Sequence, residues 1–239
     1  MAPGKELKME IKVIGFDADD TLWVNEPYFQ ETEKKFCSLL SEYLGSEEIT
    51  AELLKTEMQN IELYGFGAKS FMLSMIETAN RISDRKVSSS IIDEIIKLGK
   101  ELLDKPVELL DGVEDVLQKL YGKYKLIVAT KGDLLDQERK LRKSGIAKYF
   151  HHVEIMSDKK EENYKSLLNH LEILPENFLM VGNSFKSDIL PVVNLGGYGI
   201  YIPYHVTWQH EKIDETISNG NERIKQIKEI SELLEYLLK

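Results

Sequence analysis

The sequence predicts an α/β fold in which a parallel sheet, with helices on both faces, carries an inserted helical bundle. Three observations predict it. From about residue 106 onward, short apolar segments rich in β-branched and aromatic residues alternate with segments of helical period, the order that builds a parallel sheet. An isolated apolar run at residues 11–16 must join the same sheet to bury its side chains. Between them, residues 22–105 read as four consecutive helices without a strand, as in a small bundle.

The first strand rests on Val13, Ile14 and Phe16, and it ends in Asp17, Asp19, Asp20 and Thr21. Pro27 suits a first helical position, and Phe29, Phe36, Leu40 and Tyr43 recur at helical spacings before Gly45. A second helix is expected over 50–63, with Leu53, Leu54, Met58 and Ile61 inward, broken by Gly65 and Gly67. A third follows over 68–82. The fourth starts after the serines at 88–90 and carries Ile91, Ile92, Ile95, Leu98 and Leu102. Then come helix 113–121, strand 125–130, helix 134–144, strand 153–156, helix 161–171, strand 178–182, helix 187–195 and strand 199–202. Residues 204–222 read as a polar irregular loop, and a terminal helix is expected over 222–238. The domains expected from this order are a core of 1–21 and 106–239 and a helical insertion of 22–105.

Composition narrows the function. The chain has 239 residues, 42% hydrophobic and 30% charged, as in an ordinary globular protein. A net charge of −10 with no basic stretch argues against nucleic acid as the main partner, whereas a small anionic substrate is compatible with a local cation and a few lysines. Cys37 is the single cysteine, which excludes an intramolecular disulfide and suits a reducing compartment. Residues 1–12 lack the apolar centre of a signal peptide, and no apolar run nears the ~20 residues of a membrane span. The expectation is a cytoplasmic protein without a membrane partner, monomeric or homodimeric.

The chemistry-bearing residues sit where the strands are expected to end. Three carboxylates at one strand tip repel one another unless a cation neutralises them. Oxygen donors without histidine or cysteine suit a hard ion such as Mg²⁺, although an acidic turn that caps the next helix reads the same way. Thr130 closes an apolar strand and is followed by Lys131 and Gly132. Its hydroxyl and the free amides of such a turn can hold phosphate oxygens, or simply start a helix. Lys159 and Lys160 follow the next strand, and Gly182, Asn183 and Asp188 the one after.

Those four segments resemble, in order and spacing, the four motifs of the haloacid dehalogenase (HAD) superfamily, which is mostly aspartate-nucleophile phosphatases. Asp17, Asp19 and Thr21 are similar to its DxDxT motif, Thr130 to the second, and Lys159, or Lys160 beside it, to the third. Asn183 and Asp188 fall on the fourth, with asparagine where aspartate is usual. The resemblance implies a Rossmann-like core with a C1-type helical cap over 22–105. It implies Asp17 as nucleophile and Asp19 as acid and base. Thr130, Lys131 and Lys159 would hold phosphate, with Mg²⁺ held by Asp17, the Asp19 carbonyl, Asn183 and Asp188. An acid at Asp19 argues for a small phosphorylated substrate, because the superfamily's dehalogenases lack one there. A phosphomutase, a dehalogenase and a silent binding module of the same fold stay open. Within the cap, the turn 64–69 either packs the bundle or brings Lys69 to the substrate.

Overall fold

Four consecutive residues buried on both faces found the sheet: β1 (Val13–Phe16) has no exposed position in the computed structural model, which describes residues 10–206, 208 and 221–238. Four helices follow, α1 (Glu26–Leu39), α2 (Ser46–Tyr64), α3 (Ala68–Ile82) and α4 (Ser89–Leu103). The chain then alternates through α5 (Val113–Leu120), β2 (Lys125–Lys131), α6 (Leu134–Ser144), β3 (His152–Met156), α7 (Glu161–His170), β4 (Phe178–Gly182), α8 (Leu190–Asn194), β5 (Tyr198–Tyr201), β6 (Ile224–Gln226) and α9 (Leu233–Leu237).

The six strands form one sheet in the order β3-β2-β1-β4-β5-β6. The connections therefore run outward in opposite senses from β1, and a crevice opens at the carboxyl ends beside it. Phe16 stands level with Val128 of β2 and Val181 of β4, so Asp17, Thr130 and Gly182 all arrive at the same rim. One face of the sheet buries Val13, Ile127, Ala129, Phe178 and Met180 against Tyr164, Leu167 and Leu168 of α7. Each of the larger aliphatic and phenyl side chains contributes about 1.5–3 kcal/mol by leaving water. Gly15 is required in the middle of β1, because a Cβ there would lie 2.6 Å from the Phe178 ring.

The chain divides into two compact units. One is the α/β unit, running up to Trp23, over Leu109–Thr130 and from Ile146 onward; the other, helical unit holds Val24–Glu108 and Lys131–Gly145. Helix α6 groups with the bundle, whereas its place between two strands assigned it to the core in the sequence reading. Arg139 donates to the Leu103 carbonyl at 2.6 Å and Lys140 to Asn25 Oδ1 at 2.8 Å, which ties α6 to both ends of the insertion. The bundle has its own core of Phe36, Leu40, Ile49, Leu53, Phe71, Met75, Ile95 and Leu98.

Three expected elements differ. Residues 222–238 do not form one helix: Ile224–Gln226 pairs with the open edge of β5 and only Leu233–Leu237 is α-helical. Ile224 packs with Phe185, Ile189 and Val193, and this tertiary burial overrides the helical period of the sequence. The helix expected over 187–195 begins as a wide turn, Phe185–Ile189, before α8, and Pro191 lacks the amide that a regular continuation needs. Helix α2 starts at Ser46 rather than residue 50, because the Glu48 carboxylate accepts the Gly45 amide at 3.1 Å. Of the late polar loop, residues 207 and 209–220 lie outside the described residues, as do residues 1–9. No helix among the described residues is long and apolar enough to cross a membrane.

Candidate active site

The loop after β1 is a tight turn built on one carbonyl. The Ala18 oxygen accepts the amides of Thr21 and Leu22, at 3.3 and 2.8 Å, and the Asp20 amide donates to the Trp23 oxygen at 2.8 Å. Asp20 pays for this with φ of 61°, a left-handed conformation that aspartate tolerates better than most residues. Asp17 precedes the turn and is still anchored to the sheet, its amide donating to the Val181 oxygen at 2.9 Å.

Three buried charges meet at this rim. The Lys159 ammonium donates to Asp17 Oδ1 and, at 2.6 Å, to Asp188 Oδ1. Lys159 is 3% exposed and Asp188 1%, so the cluster lies below the solvent surface. The other Asp188 oxygen accepts the Ser184 amide at 2.9 Å. Gly182 makes this possible, since a Cβ there would stand 2.2 Å from Asp188 Oδ2. The Thr21 hydroxyl lies 3.3 Å from Asp17 Oδ2 and 3.2 Å from Asn183 Oδ1, and its one hydrogen serves one of them at a time. Buried Thr130, the last residue but one of β2, lies at the same rim.

Burial pushes the Asp17 carboxyl up to about 7; Lys159 opposes that and Asp188 reinforces it. Burial disfavours the Lys159 charge, but Asp17 and Asp188 outweigh it and hold the ammonium well above its ordinary value. One ammonium thus faces two carboxylates, and the cluster has an excess of negative charge before Asp19 is counted.

Of the two adjacent lysines, Lys159 turns inward, while Lys160 is exposed and pairs with Asp158 at 3.1 Å. The Asp19 carboxylate is held two residues beyond Asp17 by the Trp23 indole, whose Nε1 donates to it at 2.7 Å. Sequence reasoning assigned no site role to Thr21 and did not single out Trp23. The threonine of the first motif was the available signal for one, and no local pattern pointed to the other. Lys131 and Lys69 belong to the helical unit: Lys131 stands 4.4 Å over the Phe66 ring and Lys69 lies 2.9 Å from Asp133.

The donors that converge here are hard oxygens. Among the described residues no three His, Cys, Asp or Glu side chains are grouped to hold a metal ion. A divalent ion would therefore rest on the Asp17 and Asp188 carboxylates and on neutral oxygens, a set that suits Mg²⁺ with its retained waters. The surplus negative charge around Lys159 fits the same ion.

A buried lysine gripping two aspartates at the switch point of a parallel sheet defines the general class, an α/β enzyme-type site formed by strand-end loops. The particular family follows from comparison. The model of the haloacid dehalogenase-like hydrolases matches residues 11–196, and the chain belongs to that family. A haloacid dehalogenase-like family hydrolase from Xanthomonas campestris is 33% identical, over 98% of this chain and 94% of that one, with a TM-score of 0.86. A HAD-hydrolase from Bacillus subtilis solved bound to magnesium (16% identical, 96% of this chain, 99% of that one) has a TM-score of 0.64. A 2-haloacid dehalogenase from Pseudomonas syringae (17%, 95% and 98%) also has a TM-score of 0.64. No curated protein matches the chain.

Proposed function

We propose that this hydrolase is a Mg²⁺-dependent phosphatase that acts on a small phosphorylated metabolite through an aspartyl-phosphate intermediate. The observation that carries the reading is the pairing of Asp17, clamped by Lys159, with a second acid, Asp19, two residues further on. An alcohol leaving phosphorus needs a proton, whereas a departing halide does not. The dehalogenase alternative, which the Pseudomonas structure also exemplifies, leaves Asp19 without a task.

A carboxylate oxygen of Asp17 attacks phosphorus in line, and the bond from phosphorus to the alcohol oxygen breaks. Asp19 gives its proton to that oxygen. A water then attacks phosphorus, Asp19 takes a proton from it, and the acyl-phosphate bond breaks to release inorganic phosphate and regenerate Asp17. Thr130 and Lys159 hold the equatorial oxygens, where negative charge spreads in the transition state. Lys159 also favours the ionised form of Asp17, which its burial opposes. Asp17, Asp188, Asn183 and the Asp19 carbonyl would hold Mg²⁺, whose positive charge would offset the repulsion between an anionic nucleophile and a phosphate dianion. The Bacillus relative, solved with magnesium, supports that cofactor.

The test is turnover of p-nitrophenyl phosphate by the full chain, with and without Mg²⁺. Metal-dependent release of nitrophenol is expected, with a loss of about 10³-fold or more in Asp17→Asn. A parent protein without metal-dependent turnover would sink the phosphatase reading and favour a silent binding module.

A further inference from the structure

Two short turns of the helical unit are docked residue against residue. One joins α2 to α3 and contains Gly65, Phe66 and Gly67; the other, residues 131–133, joins β2 to α6. The Lys131 ammonium stands 4.4 Å over the Phe66 ring. The backbones of the two turns nearly touch at Gly67, where a Cβ would lie 3.4 Å from the Asp133 nitrogen and 4.0 Å from Gly132 Cα. Lys69 donates to Asp133 Oδ1 at 2.9 Å, and that same oxygen accepts the Asp136 amide at 3.0 Å, capping α6. On its far side the second turn is held by Gln137, whose Nε2 donates to the Lys131 oxygen at 2.9 Å. Both turns need glycine backbones, with φ of 69° and 110° at Gly65 and Gly67 and 130° at Gly132.

Lys131 is bonded directly to Thr130, the residue that carries a phosphate-holding hydroxyl in the reading above, on which this inference rests. We propose that Lys69 and Asp133 are positioning residues for phosphoryl transfer: their ion pair fixes the 131–133 turn and, along the backbone, the Thr130 hydroxyl. Lys69 is thereby engaged by the protein's own carboxylate. Its charge serves the turn instead of the substrate's leaving group. A misplaced hydroxyl weakens contacts that grow as charge develops on the phosphoryl oxygens, so the penalty falls on kcat rather than KM.

The pair separates this from a substrate-binding role. Asp133→Asn keeps the oxygen that caps α6 and removes only the charge; Lys69→Met keeps the chain length and removes the ammonium. With p-nitrophenyl phosphate and Mg²⁺, each variant is expected to lose about tenfold in kcat with KM changed less than about twofold. The double variant should lose no more than either single one. Lys69→Arg, which can still pair with Asp133, should recover most of the loss. Amide hydrogen exchange at 131–136 should quicken in the two single variants and return toward the parent rate with arginine.

A raised KM with unchanged kcat in Lys69→Met, together with a silent Asp133→Asn, overturns the proposal and returns Lys69 to the substrate. Parent-like kinetics in all variants overturn it too. A parent without metal-dependent turnover instead removes the phosphatase reading, and the positioning role with it, so the two failures are told apart.

Discussion

Each unit of this protein contains a carboxyl group that burial has pushed far up, Asp17 to about 7 in the α/β unit and Glu57 to about 8 in the helical one. The first cause is the same and the company is opposite. Asp17 is gripped by the Lys159 ammonium, with Asp188 on its other side, whereas Glu57 is influenced by two further carboxylates, Glu33 and Glu26. In the same bundle Asn60 donates to Ser74 at 3.1 Å and Thr78 to Thr56 at 2.9 Å, and Thr56 also accepts from the Arg81 guanidinium at 2.8 Å. In the helical unit neighbouring carboxylates add to the rise that burial causes; in the α/β unit an ammonium works against it. A raised pKa alone therefore does not mark a site, and what distinguishes the rim of the sheet is the convergence of opposite charges from separate strand ends.

The comparison breaks most severely if Lys159 is removed. Lys159→Met leaves Asp17 and Asp188 facing each other without a counter-charge, a loss of about 3–5 kcal/mol at neutral pH. Denaturant melts should show it, and added Mg²⁺ should restore part of the stability by binding only the folded chain. A variant as stable as the parent, with or without the metal, would show that the ammonium does not offset the two carboxylates. Gly182→Ala should act on the same cluster more gently. The new methyl cannot coexist with Asp188 at 2.2 Å, so the carboxylate must swing away, and about 10²-fold in kcat is expected to go with it. Unchanged activity in that variant would mean that the position of Asp188 is immaterial.

Much of this was legible because the residues that matter directly follow short apolar runs rich in β-branched and aromatic residues, which read as buried strands. The boundaries of α3 and α6 follow from the chain itself, since Gly67 and Asp133 start them and a left-handed Gly145 ends α6. In the sequence the choice of Lys159 over Lys160 rests only on its place nearer the strand end; what turns it inward is the distant pair Asp17 and Asp188. Trp23 reaches Asp19 through a turn whose hydrogen bonds depend on the left-handed Asp20. Strand β6 was missed for a different reason. Its three residues carry too little pattern to outweigh the helical spacing of Ile227, Ile230 and Leu234, and the free edge of β5 that recruits them belongs to another part of the chain. The grouping of α6 with the bundle depends on Arg139 and Lys140, surface cations by any local reading.

The smallest effect belongs to Glu57, and its sign is fixed by the direction of the shift. Its carboxyl is raised from 4.5 to about 8 in the folded chain, so between those values the folded state holds a proton that the unfolded state has released. Stability linked to this group is present in full below about pH 4.5 and is lost as the pH rises through about 8. Glu57→Gln stays neutral throughout, so it should melt like the parent near pH 4.5 and above it at pH 8. The gain expected there is on the order of 1–2 kcal/mol, the full shift being discounted for the part of the side chain that meets water. That is roughly 3 °C in Tm for a chain of this size. A difference between variant and parent that stays constant from pH 4.5 to 8 would remove Glu57 from the comparison. Because Glu57 contributes nothing to the proposed reaction, the same substitution should leave turnover of p-nitrophenyl phosphate untouched, whereas every change to the Lys159 cluster moves both stability and rate.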